Sequence, residues 1–260
     1  MSKSKTRYGL GLIYVSLFFI NSFIITYLIT LSVNIYINVL TIEDIISLLI
    51  DNQQTQIINV MYYSLIYKMM FAVYLFEAVM IAIIFRKKLS NKVKQFKTNF
   101  KSHILKIGSY VTVMIGLIIF VYIILFLTGT DITAVGDNQS MINTVLLNNP
   151  NVYILLTVII LAPIIEEFIF RYGLINHLLN KFNPYVQIII GSLIFTFIHI
   201  GLSQLLLSPI TALHLILMYL PMSVIYNYVY IREKNIIYPL ALHMINNIGS
   251  IIFVFVVSQL

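Results

Sequence analysis

Three sets of polar side chains interrupt long apolar runs in the second half of the chain. Glu166 and Glu167 are adjacent in "LAPIIEEFIFRYGL", residues 161–174, with Arg171 one turn further on. An ionised side chain at the centre of a membrane-spanning helix costs roughly 2.5–3.5 kcal/mol on insertion scales, so two adjacent acids mark a functional site by default. Glu167 and Arg171 are four residues apart and share a helix face, where they can pair. The structural reading of that pair is a buried ion pair that fixes helix packing. Glu166 points about 100° away on a helix and has no local cation, which packing alone explains poorly. In "FTFIHIG", Phe195 and His199 recur at the same four-residue spacing, with the imidazole deep in an apolar run. Alone, such a histidine reads as a hydrogen-bonded core residue. In "ALHMINNIGS", His243 and Asn247 are again four apart and project the same way, Asn246 being the ambiguous neighbour. Histidine and asparagine also serve as hydrogen-bonding glue between membrane helices. Taken together, two carboxylates, two imidazoles and a carboxamide allow amide hydrolysis. That reaction needs a base for water, donors for an oxyanion and an acid for the leaving amine.

Such side chains need transmembrane helices to position them. Of 260 residues 60% are hydrophobic and 10% charged, against about 25% charged in a soluble domain. That leaves too little polar surface for a soluble fold. The predicted fold is all-α, a polytopic transmembrane helical bundle. Runs of about 20 apolar residues fall at 10–33, 62–85, 107–127, 152–175, 185 to beyond His199, 212–231 and 236–257. These make seven spans, or eight if 201–213 forms a short span of its own. The first run is too long for a signal-peptide core and lacks a small-residue cleavage site, so it is read as a retained span. Cysteine is absent, which excludes a disulfide framework, a thiolate nucleophile and a cysteine-ligated metal.

The net charge of +7 is clustered. Lys3, Lys5 and Arg7 precede the first run, and Arg86, Lys87, Lys88, Lys92, Lys94, Lys97, Lys101 and Lys106 fill one stretch between two others. With membrane spans on both sides, this stretch reads as a cytoplasmic loop beside anionic lipid headgroups rather than a nucleic-acid site. The same bias places the amino terminus in the cytoplasm of a cell-membrane protein. Lys181, Arg232 and Lys234 fall on that side as well. The far-side connections 43–56 and 128–150 carry Glu43, Asp44, Asp51, Asp131 and Asp137 but no lysine or arginine. Two regions result: an amino-terminal three-span region over 1–127 with its basic loop, and a helical core over 150–257 that carries all the chemistry. Counted from the cytoplasmic ends of their spans, Glu166 and His243 lie at similar depths of roughly 10–14 Å.

"EEFIFR", "FTFIH" and "HMINN" fit the motifs EExxxR, FxxxH and HxxxN, in that order and on successive helices. Over about 150–250 the chain thus resembles the CAAX-protease and bacteriocin-processing (CPBP) family of intramembrane proteases, with no departure at the motif positions. The resemblance implies hydrolysis of a peptide or membrane-protein substrate from a cavity open to the cytoplasmic side. By analogy with the family motif, Glu166 is the water-activating base and His199 helps to hold that water. His243 and Asn247 donate to the oxyanion, and Glu167 with Arg171 orients the site. Phe195 supports it. A metal is the competing version, with Glu166, His199 and His243 as candidate ligands and zinc as the ion. There is no HExxH, and a glutamate-rich set with asparagine is not a common catalytic zinc arrangement; the metal question stays open.

Two readings come from other classes. One is a non-catalytic scaffold or regulator in immunity or signalling. The other is a transporter, for which intramembrane acids are equally expected but no inverted repeat is evident. Among the remaining polar residues, Lys68 reads as a snorkelling side chain and Glu77 as an interhelical partner or cavity-lining group. His214 reads as interfacial or packing, and His103 and His177 as interface residues.

Overall fold

The computed structural model describes residues 31, 52–128, 137–148, 150–200 and 209–257. Among the described residues every regular element is helical. We number seven helices: α1 Asn52–Thr98, α2 Phe100–Leu127, α3 Asp137–Asn148, α4 Val152–Leu178, α5 Pro184–Ile200, α6 Pro209–Glu233 and α7 Ile237–Val257. By length and composition, five can cross a membrane: α1, α2, α4, α6 and α7. At 17 residues, α5 is a shorter apolar helix. The span expected at 10–33 lies, but for Leu31, outside the described residues, as do residues 201–208 of the short span expected at 201–213, whose remaining residues 209–213 begin α6.

Buried shares sort the helices. The most apolar windows of α4 and α6 are 44% and 50% buried inside the protein, against 0% and 17% in α1 and α2. Thus α4 and α6 form the centre, and α1 and α2 turn large side chains such as Phe76, Ile84, Phe120 and Phe126 outward. An apolar surface of this extent suits lipid rather than water. Three clusters tie the bundle together. Met114 of α2 packs with Met222 and Tyr226 of α6 and Leu242 of α7. Ile165, Phe170 and Leu174 of α4 pack with Phe195 of α5. Tyr67 of α1, Val145 and Leu146 of α3, Ile154 of α4 and Ile251 of α7 form the third.

Two stretches expected to be loops are helical. The basic stretch 86–106 continues α1 to Thr98, breaks at Asn99 (φ −128°, ψ 47°) and resumes in α2. Lysine ends a hydropathy run without ending a helix, because its helix propensity is high. The 47 residues of α1 therefore extend about 70 Å, further than the 40–45 Å of a whole bilayer. Within 128–150, residues 137–148 form α3, whose Val145 and Leu146 are fully buried. The expected fifth span, read as running past His199, ends as a described helix at Ile200.

Local chemistry sets the helix starts that matter to the site. Asn151 caps α4 by accepting from Ile154 N at 3.1 Å, and Asn183 caps α5 by accepting from Val186 N at 3.0 Å, ahead of Pro184 at the first helical position. Small residues let α5 approach α6, as in membrane helix packing generally. At Gly191 an added Cβ would lie 2.5 Å from Ile175 Cδ1 and 3.1 Å from Asn227 Nδ2. Next to it, buried Asn227 Nδ2 donates to Ser192 Oγ at 2.9 Å. This contact sets α5 about two turns before His199.

The turn between α6 and α7 is clasped from two sides. Glu233 accepts from Lys106 at 2.8 Å and from the Tyr110 hydroxyl at 2.7 Å. Lys234 adopts φ 49°, a left-handed conformation uncommon outside glycine. Its carbonyl accepts from Lys92 Nζ at 2.7 Å, while Asn235 Oδ1 accepts from Ile237 N at 3.2 Å and starts α7.

Candidate active site

The sequence places an acid pair on α4, one imidazole on α5 and another on α7, and the fold brings all of them together. Glu167 and Arg171 are fully buried. Arg171 Nε lies 3.1 Å from Glu167 Oε2, an ion pair whose N–H is not aligned as a hydrogen bond. The guanidinium is also flanked by aromatic rings, its carbon 4.9 Å from the Phe195 centroid and 5.3 Å from that of Tyr226. Ring faces attract a cation electrostatically, and more strongly where water is excluded.

The other oxygen of Glu167 serves the second imidazole. His243 Nδ1 lies 2.9 Å from Glu167 Oε1. Since the carboxylate accepts, Nδ1 carries the proton and donates. On α5, His199 Nδ1 lies 2.7 Å from the Phe195 carbonyl. A carbonyl only accepts, so this Nδ1–H also donates. Both rings are thereby oriented, and both turn Nε2 towards Glu166. The Oε2 atom of Glu166 is 3.3 Å from His199 Nε2 and 3.8 Å from His243 Nε2. It makes no hydrogen bond within the protein among the described residues. The two acids differ in access: the Glu166 side chain is 22% exposed and that of His199 18%, whereas Glu167 is at 0%. Part of the Glu166 side chain is thus accessible although its Oε2 atom is buried, and Glu167 is wholly enclosed.

Phe195 stacks on His199 at 4.1 Å between centroids and lies under Arg171, so it bridges the imidazole and the ion pair. The four-residue spacing of Phe195 and His199 makes that stacking a property of one helix face.

Asn247 lies on α7 beyond His243, and its side chain reaches α4 rather than Glu166. Its Nδ2 donates to Val158 O at 2.8 Å. The reason lies in the path of α4, expected as one uniform helix. The chain runs α-helically over Val152–Leu156, widens to a π-helix over Thr157–Leu161, returns to α over Ala162–Glu167 and widens again over Phe168–Leu178. Ala162 N–H reaches back to Thr157 O, and the next nitrogen belongs to Pro163, which has no hydrogen to give. Val158 O is left for a donor from outside the helix, and Asn247 supplies it. π-bulges of this kind are frequent at functional sites. An Asn247→Leu substitution is expected to leave that carbonyl unpaired and to destabilise the protein by about 1–3 kcal/mol. Unfolding followed in detergent checks this; an unchanged midpoint would show that the carbonyl finds another donor.

Three tyrosines join the site without having been singled out. Tyr226 stacks on His243 at 5.2 Å, at an interplanar angle of 22°. The Tyr219 ring lies 5.2 Å from His199. Tyr74 of α1 is close enough to interact electrostatically with both Glu166 and Glu77. A signal existed in α6, where Tyr219, Tyr226 and Tyr230 recur at spacings of seven and four and so share a face. The remaining histidines stand apart. His103 hydrogen-bonds to the Tyr238 hydroxyl and stacks on Phe96. His177, expected at the interface, is buried with its ring edge-on to Tyr172, and His214 is buried.

The candidate metal ligands Glu166, His199 and His243 offer donor types that zinc accepts. Among the described residues, however, no group of three His, Cys, Asp or Glu side chains is arranged to hold an ion. Glu166 is instead paired with the two ring nitrogens.

Comparison with known families gives one result. Residues 148–249 match the model of the type II CAAX prenyl endopeptidase Rce1-like family, in agreement with the resemblance carried by the three motifs. The matched segment runs from just before α4 into α7 and contains every residue of the cluster. No curated protein and no solved structure matches the chain.

Proposed function

We propose, from the Rce1-like match over residues 148–249 and the cluster within it, that this protein is an intramembrane endopeptidase. Its substrates are peptides or membrane-associated precursor proteins, and its cavity opens to the cytoplasmic side of a cell membrane. The amino terminus is cytoplasmic, with seven or eight spans. The observation that carries the reading is Glu166, whose side chain is 22% exposed and whose buried Oε2, free of hydrogen bonds, faces two oriented imidazole Nε2 atoms at 3.3 and 3.8 Å.

Water is held by the Glu166 carboxylate, beside His199 Nε2. Glu166 takes one proton, and the hydroxide oxygen bonds to the scissile carbonyl carbon. The carbonyl electron pair moves onto oxygen, which accepts from His243 Nε2–H while Glu167 holds the ring through Nδ1. Asn247 uses one Nδ2 hydrogen on Val158 O and turns the second towards the oxyanion. Collapse breaks the C–N bond, and Glu166 passes its proton to the leaving amine.

The test is cleavage of a broad precursor-peptide library by the purified protein in detergent, wild type beside His199→Ala and His243→Ala, each with and without a chelator. Wild type is expected to cleave and to continue in chelator. His243→Ala is expected to lose about 10²–10³-fold in kcat. Activity lost to chelator and restored by zinc would make the reaction metal-dependent. No cleavage of any library member by wild type would favour the scaffold reading, in which the cluster is structural.

A further inference from the structure

The active cluster leaves unused an open cleft of about 630 Å³ lined by α1, α4, α5, α6 and the residues that follow α6. Lys88, Lys92 and Lys234 line it, and no aspartate or glutamate does. The partners of these ammonium groups are neutral. Lys88 hydrogen-bonds to the Tyr172 hydroxyl and lies 5.1 Å from that ring's centroid. Lys92 donates to Lys234 O at 2.7 Å and to Gln95 Oε1 at 3.4 Å. Among the described residues no carboxylate pairs with any of the three. At the same end of the bundle Lys106 has its counter-ion, Glu233, at 2.8 Å. The cleft thus gathers three positive charges that the described part of the protein does not neutralise.

Its lining is of two kinds: apolar Phe85, Phe168 and Ile231, and polar Asn176, Asn180 and the three lysines, with Lys88 Nζ 5.8 Å from the Phe85 ring centroid. Phe85 is also the last residue of an apolar stretch, followed directly by Arg86, Lys87 and Lys88. An apolar-to-basic boundary of this kind marks headgroup depth. A soluble anion would use only the lysines. A molecule with a phosphate and hydrocarbon chains would use both kinds of lining.

We propose that the cleft holds the phosphate of an anionic glycerophospholipid, with hydrocarbon lying along its apolar wall. Lysine suits this role as a mobile point charge for phosphate oxygens. The proposal concerns how the bundle is seated in its membrane and stands apart from the reaction catalysed.

The experiment uses the full chain in a neutral detergent, titrated with phosphatidylglycerol, phosphatidylcholine or inorganic phosphate, and reads the thermal unfolding midpoint together with lipid retained in native mass spectrometry. Ligand that binds only the folded form raises the midpoint. Phosphatidylglycerol is expected to stabilise where phosphatidylcholine does not. Lys88→Gln and Lys234→Gln should each weaken that effect about fivefold, as expected for one basic residue near an anionic lipid. Lys101→Gln, on α2 and outside the cleft, should leave it unchanged. Lys92 is kept, since it also holds the turn at Lys234. Equal weakening by Lys101→Gln would mean diffuse attraction and overturn the site. Equal stabilisation by inorganic phosphate would assign the lysines to a soluble anion, and no preference for phosphatidylglycerol would remove the anion altogether. None of these readouts is cleavage, so failure here is distinguishable from failure of the protease reading.

Discussion

Replacing Glu166 with glutamine is expected to lower kcat for peptide cleavage by a factor of about 10²–10⁴, the range supplied by a positioned general base. The substitution keeps the shape of the side chain and removes only its ability to accept a proton. Stability should change little. The Glu166 side chain is 22% exposed, and its Oε2 makes no hydrogen bond within the described protein; what is lost is attraction to two imidazoles at 3.3 and 3.8 Å. A general base acts in the transition state, so kcat and kcat/KM should fall together while KM holds. The measurement is single-turnover cleavage of a substrate selected from the library, beside unfolding of the same samples. A glutamine variant that retains its rate would sink Glu166 as the base. A variant that loses activity only because it unfolds would move Glu166 into the structural group with Glu167.

What could be read from the sequence was what is local to one helix. Each pair at four-residue spacing shares a face, and the structure contains those pairings as contacts: Glu167 with Arg171, Phe195 stacked on His199. The all-helical, apolar character was equally visible, because composition alone fixes how much surface can face water. What did not show was register between helices and departures from ideal geometry. His243 and Asn247 share a face of α7, yet His243 meets Glu167 while Asn247 meets a backbone carbonyl of α4. That difference comes from Pro163 and the π-helical turn before it, features that no hydropathy period reports. The basic stretch after Phe85 misled for a related reason. Hydropathy marks where lipid ends, and lysine allows the helix of α1 to continue past that point. Tyr226 went unnoticed because a tyrosine in a membrane helix has many roles, and only the crossing of α6 with α4 and α7 places it between Arg171 and His243.

Arg171→Leu is expected to destabilise the protein by about 3–5 kcal/mol, the cost of leaving a buried carboxylate without its counter-ion. Glu167 and Arg171 are both at 0% exposure, so water cannot take the place of the missing partner. Loss of the guanidinium also removes the cation from between the Phe195 and Tyr226 rings, where it lies 4.9 and 5.3 Å from their centroids. Arg171→Lys should recover only part of the loss. An ammonium restores the charge but not a flat group that fits between two rings. In the double variant Glu167→Leu with Arg171→Leu, no buried charge remains, and replacing an entire buried pair with apolar groups is often close to neutral. Its stability should therefore lie well above that of Arg171→Leu alone. Activity should not follow. His243 Nδ1–H would have lost the acceptor that it holds at 2.9 Å, leaving the ring unoriented and the oxyanion without one of its two donors. Unfolding of all four members of the double-mutant cycle measures the coupling, and cleavage by the stable double variant separates orientation from folding. A double variant that is stable and fully active would reduce Glu167 and Arg171 to packing. A double variant no more stable than Arg171→Leu would mean that the two side chains are not coupled as an ion pair.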